Sequence, residues 1–160
     1  MSGDGSLRPK PGLMNSEQTR SSGIDAEWGL LFAAWLIAAV STLGSLFFSL
    51  VMDFPPCALC WYQRICLFPL VFILARGLFP LDAGVVKYAL PLTAVGWLLA
   101  AYHNLIHSGI ISESMQPCSQ GVSCSEEYLK LGFVSIPLLA LAAFSSIMLL
   151  LILIKRRNSE

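Results

Sequence analysis

The chain has 160 residues, of which 56% are hydrophobic and 12% charged, with ten basic residues against ten acidic and a formal net charge of zero. A soluble domain carries roughly 25% charged residues, so the composition excludes an ordinary soluble enzyme and points to a membrane protein. The few, scattered basic residues also exclude a nucleic-acid-binding surface, and the length suits one compact domain.

Residues 1–27 are rich in Ser, Gly and charge with little apolar periodicity, which predicts a disordered cytoplasmic tail. The first apolar stretch, Trp28–Met52, is too long for a signal-peptide core and is followed by no small-residue cleavage site, so it predicts a retained membrane-spanning helix. The second, Ile65–Ala75, lies between Arg64 and Arg76. With both arginines inside it, a helix over Cys60–Leu78 is about 28 Å long at 1.5 Å per residue, which matches a hydrocarbon core of roughly 30 Å. The third stretch, Tyr88–Ser112, and the fourth, Leu131–Ile154, each exceed the about 20 apolar residues a span needs. The helical moment is weak, as expected of helices that are apolar all round. The expected fold is an all-α membrane protein: a four-helix transmembrane bundle over residues 28–155, closed by a basic cytoplasmic end over residues 156–160.

Four spans put both termini on one side. Arg8, Lys10 and Arg20 of the tail, Arg76 and Lys87 between the second and third spans, and Lys155, Arg156 and Arg157 at the end place eight of the ten basic residues on that side. Only Arg64 and Lys130 fall on the other, with Asp53, Glu113, Glu126 and Glu127. The positive-inside rule makes the basic side cytoplasmic. Cys57 and Cys60, between the first two spans, and Cys118 and Cys124, between the last two, therefore face the oxidising compartment, where disulfides persist.

The first of these links reads Pro55-Pro56-Cys57-Ala58-Leu59-Cys60-Trp61-Tyr62-Gln63-Arg64. Two prolines can end one span and start the next, which puts both cysteines in the first turn of the second helix. The partial positive charge there favours thiolate over thiol. A C-x-x-C in that position suits reversible disulfide chemistry; a static disulfide or half of a zinc site is the plainer reading. Arg64, four residues past Cys60, shares its face. It is either a snorkelling interfacial arginine or a cation placed to stabilise a thiolate and a reduced acceptor, and the spacing favours the second. Arg76, at the other end of that helix, reads as a snorkelling anchor.

Cys118 and Cys124 enclose a turn-rich loop that could present a disulfide to a large partner or merely staple itself. Two outward pairs suit thiol–disulfide exchange, in which each thiolate attacks the next disulfide; a four-cysteine zinc site fits the C-x-x-C and C-x5-C spacing poorly. His103 and His107, at i and i+4 near the outer end of the third span, read as a polar stripe for hydrogen bonding or proton handling rather than a metal pair, with His103 the stronger candidate. Trp28, Trp35, Trp61, Trp97, Tyr62 and Tyr102 read as packing or interface aromatics, and Cys66 as a small buried hydrophobe.

The segment Cys57-Ala58-Leu59-Cys60-Trp61-Tyr62-Gln63-Arg64 resembles the signature of the disulfide bond formation protein B (DsbB) family. The short loop from Pro117-Cys118 to Cys124, followed by Gly132-Phe133-Val134-Ser135-Ile136-Pro137, resembles its short-loop, BdbC-like branch, and the likeness covers most of residues 28–155. The resemblance implies a thiol:quinone oxidoreductase of the bacterial inner membrane. A reduced DsbA-like thioredoxin-fold oxidase would deliver electrons to Cys118. An interloop disulfide between Cys124 and Cys57 would carry them on, and Cys60 would face the quinone, ubiquinone or menaquinone, with Arg64 and His103 beside it. Quinol would then feed the respiratory chain. The direction of electron flow comes from the resemblance, as does the pairing.

Three rivals remain. A vitamin K epoxide reductase relative would carry its loop cysteines before the C-x-x-C, whereas here they follow it. A Cys/His metal-binding membrane protein would use the four outward cysteines and the two histidines. A structural tetraspan would hold two static staples.

Overall fold

In the computed structural model, residues 11–53, 56–110 and 135–158 are described, the side chains of helix α1 from Asp25 onward. The elements in chain order are α1 (Pro11–Leu50), α2 (Ala58–Leu78), a 3-10 turn (Ala83–Val85), α3 (Val86–His107) and α4 (Ile136–Arg157). Four segments are long and apolar enough to cross a membrane: Asp25–Leu50, Ala58–Leu78, Ala83–His107 and Ile136–Arg157. The described residues form an all-α structure, as the composition predicts.

The helices form a ring in which α1 packs on α2 and α4, and α3 on α2 and α4. All three sequential pairs run antiparallel. Ser45 of α1 meets Arg64 of α2 while Leu31 lies near Gly77. Gln63 of α2 meets His103 of α3 while Gly77 lies near Val85. Asn104 of α3 bonds Pro137 of α4 while Gly96 lies against Phe144. The core repeats at heptad-like spacing: Leu31, Ala34 and Ala38 of α1, Leu67, Leu70, Leu74 and Leu78 of α2, and Phe144, Ile147, Leu151 and Ile154 of α4. Small residues on α1 and at Ala89, Gly96 and Ala100 of α3 let the backbones approach closely, which substitutes for the hydrophobic drive that lipid removes. The opposite faces expose Leu36, Val40, Leu43, Phe72, Leu98 and Leu149, the surface that lipid would cover.

The helix ends differ from the sequence expectation in four places. Helix α1 starts at Pro11, so residues 11–27, expected as a disordered tail, are helical; proline suits a first turn, and no further proline interrupts the stretch between Pro11 and the span. Helix α2 starts at Ala58 with Cys57 as its N-cap, so Cys57 stands just outside the first turn rather than within it. Helix α3 ends at His107 instead of running to Ser112. Gly109 takes φ 73°, its N–H bonds the Ile106 carbonyl, and the Ile110 N–H bonds that of Leu105, the paired bonds of a Schellman stop that needs glycine. Helix α4 is described from Ile136, with Ser135 as N-cap and Pro137 in its first turn, and runs past Ile154 to Arg157; the expected start at Leu131 lies outside the described residues.

Candidate functional site

The C-x-x-C sits where α1 ends, α2 begins and α3 ends. Asp53, at φ 53°, turns the chain after α1, a conformation Asp tolerates better than most residues. Pro56 then leads into Cys57, whose extended backbone (φ −67°, ψ 166°) is that of an N-cap. Its sulfur takes the place of the usual capping oxygen: the Cys60 backbone N–H donates to Cys57 Sγ at 3.4 Å. Cys57, Leu59 and Ile106 form a small apolar cluster apart from the main core, with Ala58, Cys60 and Tyr102 packed on it.

Both cysteines are thiols, with Sγ atoms 3.1 Å apart in hydrogen-bond contact. Cys57 is buried and Cys60 half-buried. His103, buried on α3, brings Nε2 to 3.9 Å from Cys57 Sγ. The Cys57 thiol is held far below its ordinary range, at about 4, first by its hydrogen bond with Cys60 and then by His103 and the Cys60 backbone N–H, against the opposing effect of burial. Cys57 is thus the ready thiolate of the pair, and Cys60 the half-exposed partner that can donate to it.

Successive residues on a helix point about 100° apart, and α2 uses this to address two neighbours. Gln63 is buried and its Nε2 lies 3.2 Å from Nδ1 of His103 on α3. Arg64, buried beside it, turns to α1. Its Nε donates to Ser45 Oγ at 2.6 Å, and Nη2 donates to the Ser45 carbonyl at 2.8 Å and to Ser49 Oγ. The guanidinium also lies over the Trp61 ring, 5.4 Å from its centroid, and within electrostatic reach of both sulfurs. Arg64 is therefore a buried, anchored cation and not a snorkelling one. Arg76 is exposed and donates to the Phe79 carbonyl at 2.7 Å.

The structure brings Cys57, Cys60 and His103 together and sets Arg64 one helix face away. His107 lies in the last turn of α3, outside that cluster. Cys66 is buried in the main core, as its reading as a small hydrophobe implies. Trp61 and Tyr62 are exposed at the level of the site, whereas Trp97 bridges helices, its indole N–H donating to Ser145 Oγ at 2.9 Å. Cys118 and Cys124, the expected second pair, lie outside the described residues. The sequence reading passes over Gln63, Ser45 and Ser49; the signal available for the serines is a pair of hydroxyls at i and i+4 in an otherwise apolar span.

The ligand atoms of Cys57, Cys60 and His103 lie within 4.8 Å of one another, a set that could also hold a metal ion. Two thiolates on one tetrahedral zinc, each about 2.3 Å from it, stand roughly 3.8 Å apart; here the sulfurs are at 3.1 Å, closer to a dithiol poised for disulfide closure.

The family model for disulfide bond formation protein DsbB matches residues 27–154. A "Probable disulfide formation protein" of Metapseudomonas resinovorans is 48% identical over 134 residues, covering 82% of this chain and 93% of that one. "Disulfide bond formation protein C" of Bacillus subtilis is 43% identical over 131 residues, covering 81% and 95%. A "Probable disulfide formation protein" of Chlamydia trachomatis is 41% identical over 123 residues, covering 77% and 90%. No solved structure matches the chain. With four apolar helices, a dithiol at the mouth of the bundle and these relatives, the chain belongs to the disulfide bond formation protein DsbB family, a family of disulfide-forming membrane proteins.

Proposed function

We propose that the protein is a thiol:quinone oxidoreductase that reoxidises an extracytoplasmic DsbA-like thioredoxin-fold oxidase and passes the electrons to a membrane quinone. The observation that carries this reading is the Cys57–Cys60 dithiol, its sulfurs 3.1 Å apart, with Cys57 buried against His103 and Cys60 half-exposed. Arg76 closes α2, Lys87 opens α3 and Lys155, Arg156 and Arg157 close α4, all at the end opposite the cysteines. That supports basic, cytoplasmic termini and outward cysteines in the bacterial inner membrane.

The reaction balances as partner dithiol plus quinone giving partner disulfide plus quinol, two electrons and two protons moving together. The partner's thiolate attacks Cys118 of a Cys118–Cys124 disulfide and releases the Cys124 thiolate, which attacks Cys57 of a Cys57–Cys60 disulfide and releases the Cys60 thiolate. The partner's second thiol closes its disulfide and frees Cys118, Cys118 re-forms its bond with Cys124 and frees Cys57, and the Cys57–Cys60 disulfide re-forms as its two electrons and two protons pass from Cys60 to quinone. A quinone is a substrate dissolved in the bilayer, and it supplies a two-electron acceptor of far higher potential than a thiol pair, for which about 30 mV is worth tenfold in equilibrium. The residues present fit such a substrate: Cys60 is the more exposed cysteine, and Arg64 is a fixed cation on the same helix. Quinol leaving the site would be reoxidised by the respiratory chain.

The test is quinone reduction by the detergent-purified protein with a reduced thioredoxin-fold oxidase as donor and Cys57→Ser as control. Turnover with a ubiquinone or menaquinone analogue that disappears in the control establishes the reading. Folded protein that turns over neither, and that carries stoichiometric zinc, establishes the metal-binding alternative, for which Cys57, Cys60 and His103 are the donor set.

A further inference from the structure

Gln63 is a polar side chain inside a membrane-spanning helix, 7% exposed, and a buried amide that lacks a partner costs free energy. Its partner is the His103 ring, with Gln63 Nε2 3.2 Å from Nδ1. The far nitrogen of the same ring, Nε2, faces Cys57 Sγ at 3.9 Å. Gln63, His103 and Cys57 thus form a line across the α2–α3 contact that ends on the thiol at the α2 cap.

An amide nitrogen carries two N–H donors and accepts nothing. With its nitrogen turned to the ring, the amide asks a lone pair of Nδ1. In a neutral imidazole the proton then resides on Nε2, the nitrogen that faces the sulfur.

We propose that Gln63 is a positioning residue that fixes His103 in the Nε2–H tautomer and so aims an N–H donor at Cys57 Sγ. The inference deepens the proposed reading of Cys57 as the relay thiol between Cys124 and Cys60 and takes its functional meaning from it. In this arrangement His103 holds negative charge on Cys57 and does not remove its proton, because the nitrogen facing the sulfur has no lone pair to offer. The Cys57 sulfur then has three polar neighbours: the Cys60 backbone N–H, which donates to it at 3.4 Å, the Cys60 sulfur at 3.1 Å and His103 Nε2–H at 3.9 Å. Among the described residues, the charged group within electrostatic reach of both sulfurs is Arg64, which is occupied on the α1 side by Ser45 and Ser49. A carboxylate in place of the amide would only accept, so it would demand a proton on Nδ1 and invert the ring. The choice of amide over acid at position 63 therefore decides which ring nitrogen addresses the thiol.

The decisive measurement is read on the unmodified protein, one variant serving to assign its signals. The full chain contains two histidines, His103 and His107, so 15N-histidine spectra of the reduced protein in lipid, with His103→Asn to assign the signals, report the tautomer directly. The proposal expects a protonated Nε2 and an unprotonated Nδ1 for His103, and Gln63→Glu is expected to reverse them. A second readout is the pH midpoint for alkylation of Cys57, followed by site-resolved mass spectrometry. Gln63→Met and His103→Asn are each expected to raise it by about one pH unit, a tenfold change in thiolate fraction below the midpoint, and the double variant to raise it no further. A protonated Nδ1 in the unmodified protein, or additive shifts in the double variant, overturns the proposal. Neither readout involves quinone or partner, so its failure is distinguishable from failure of the oxidoreductase reading.

Discussion

Arg64 and Ser45 are joined twice, the guanidinium Nε donating to the Ser45 hydroxyl at 2.6 Å and Nη2 to its carbonyl at 2.8 Å. An arginine in a span is costly to bury, and α1 meets that cost with a hydroxyl and a carbonyl of one residue and the hydroxyl of Ser49 one turn later. The cation is thereby pinned at a fixed height beside the dithiol.

Arg64→Ala is expected to slow quinone reduction at least about tenfold, the order of a lost charge-assisted hydrogen bond, while leaving mixed-disulfide formation with the partner largely intact. Ser45→Ala should act in the same direction and less, because the guanidinium keeps Ser49 and the Ser45 backbone carbonyl. Stopped-flow absorbance for the first step and trapping for the second separate the two. Equal loss of both would remove the assigned role.

Cys57 has a thiol pushed down to about 4 from the ordinary thiol range. The sign follows directly: as pH rises through about 4 the thiolate forms, so the alkylation rate of reduced Cys57 climbs there and is flat by about pH 6. An unperturbed thiol is still climbing near pH 8.5. Site-resolved alkylation from pH 3 to 9 checks this, and a midpoint near 8 would show that the cap and His103 do not act on the sulfur.

Cys66 is 5% exposed and packed in the main core, between two and three turns along α2 from the cap. Cys66→Ala is expected to retain most quinone-reductase activity and to lower stability by about 1 kcal/mol, the cost of a small cavity. A folded variant without activity would assign the fifth cysteine a part in the chemistry.

Gly96 of α3 faces Phe144 of α4 so closely that a Cβ there would overlap the ring. Gly96→Ala should therefore lower the thermal unfolding midpoint, by the equivalent of about 1–3 kcal/mol for an overpacked contact. Gly44, where a Cβ meets nothing within 4 Å, is the matched control, and Gly44→Ala should be neutral or slightly stabilising. Phe144→Leu should relieve the Gly96→Ala defect if the ring is the cause.

The sequence by itself determined what depends on local chemistry. The four spans follow from apolar length against bilayer thickness, and the structure keeps all four with ends moved by a few residues, apart from the helical extension to Pro11. The dithiol at the start of the second helix follows from Pro56 and the C-x-x-C spacing. The Gly109 stop of α3 was equally available, since glycine after a helix is a local signal.

Tertiary structure alone decided which polar residues meet. Arg64 finds partners nineteen and fifteen positions away, and Gln63 finds His103 forty positions on. A helix that is apolar all round carries no moment to declare which face turns inward, so neither pairing can be read from α1, α2 or α3 separately. The faces are chosen by small residues that let the helices close, Ala34 and Ala38 on α1 and Gly96 and Ala100 on α3, and by the partners that a buried amide and a buried guanidinium require. That choice sends two consecutive residues of α2 in different directions, Gln63 to the histidine behind the thiol and Arg64 to the serines of α1.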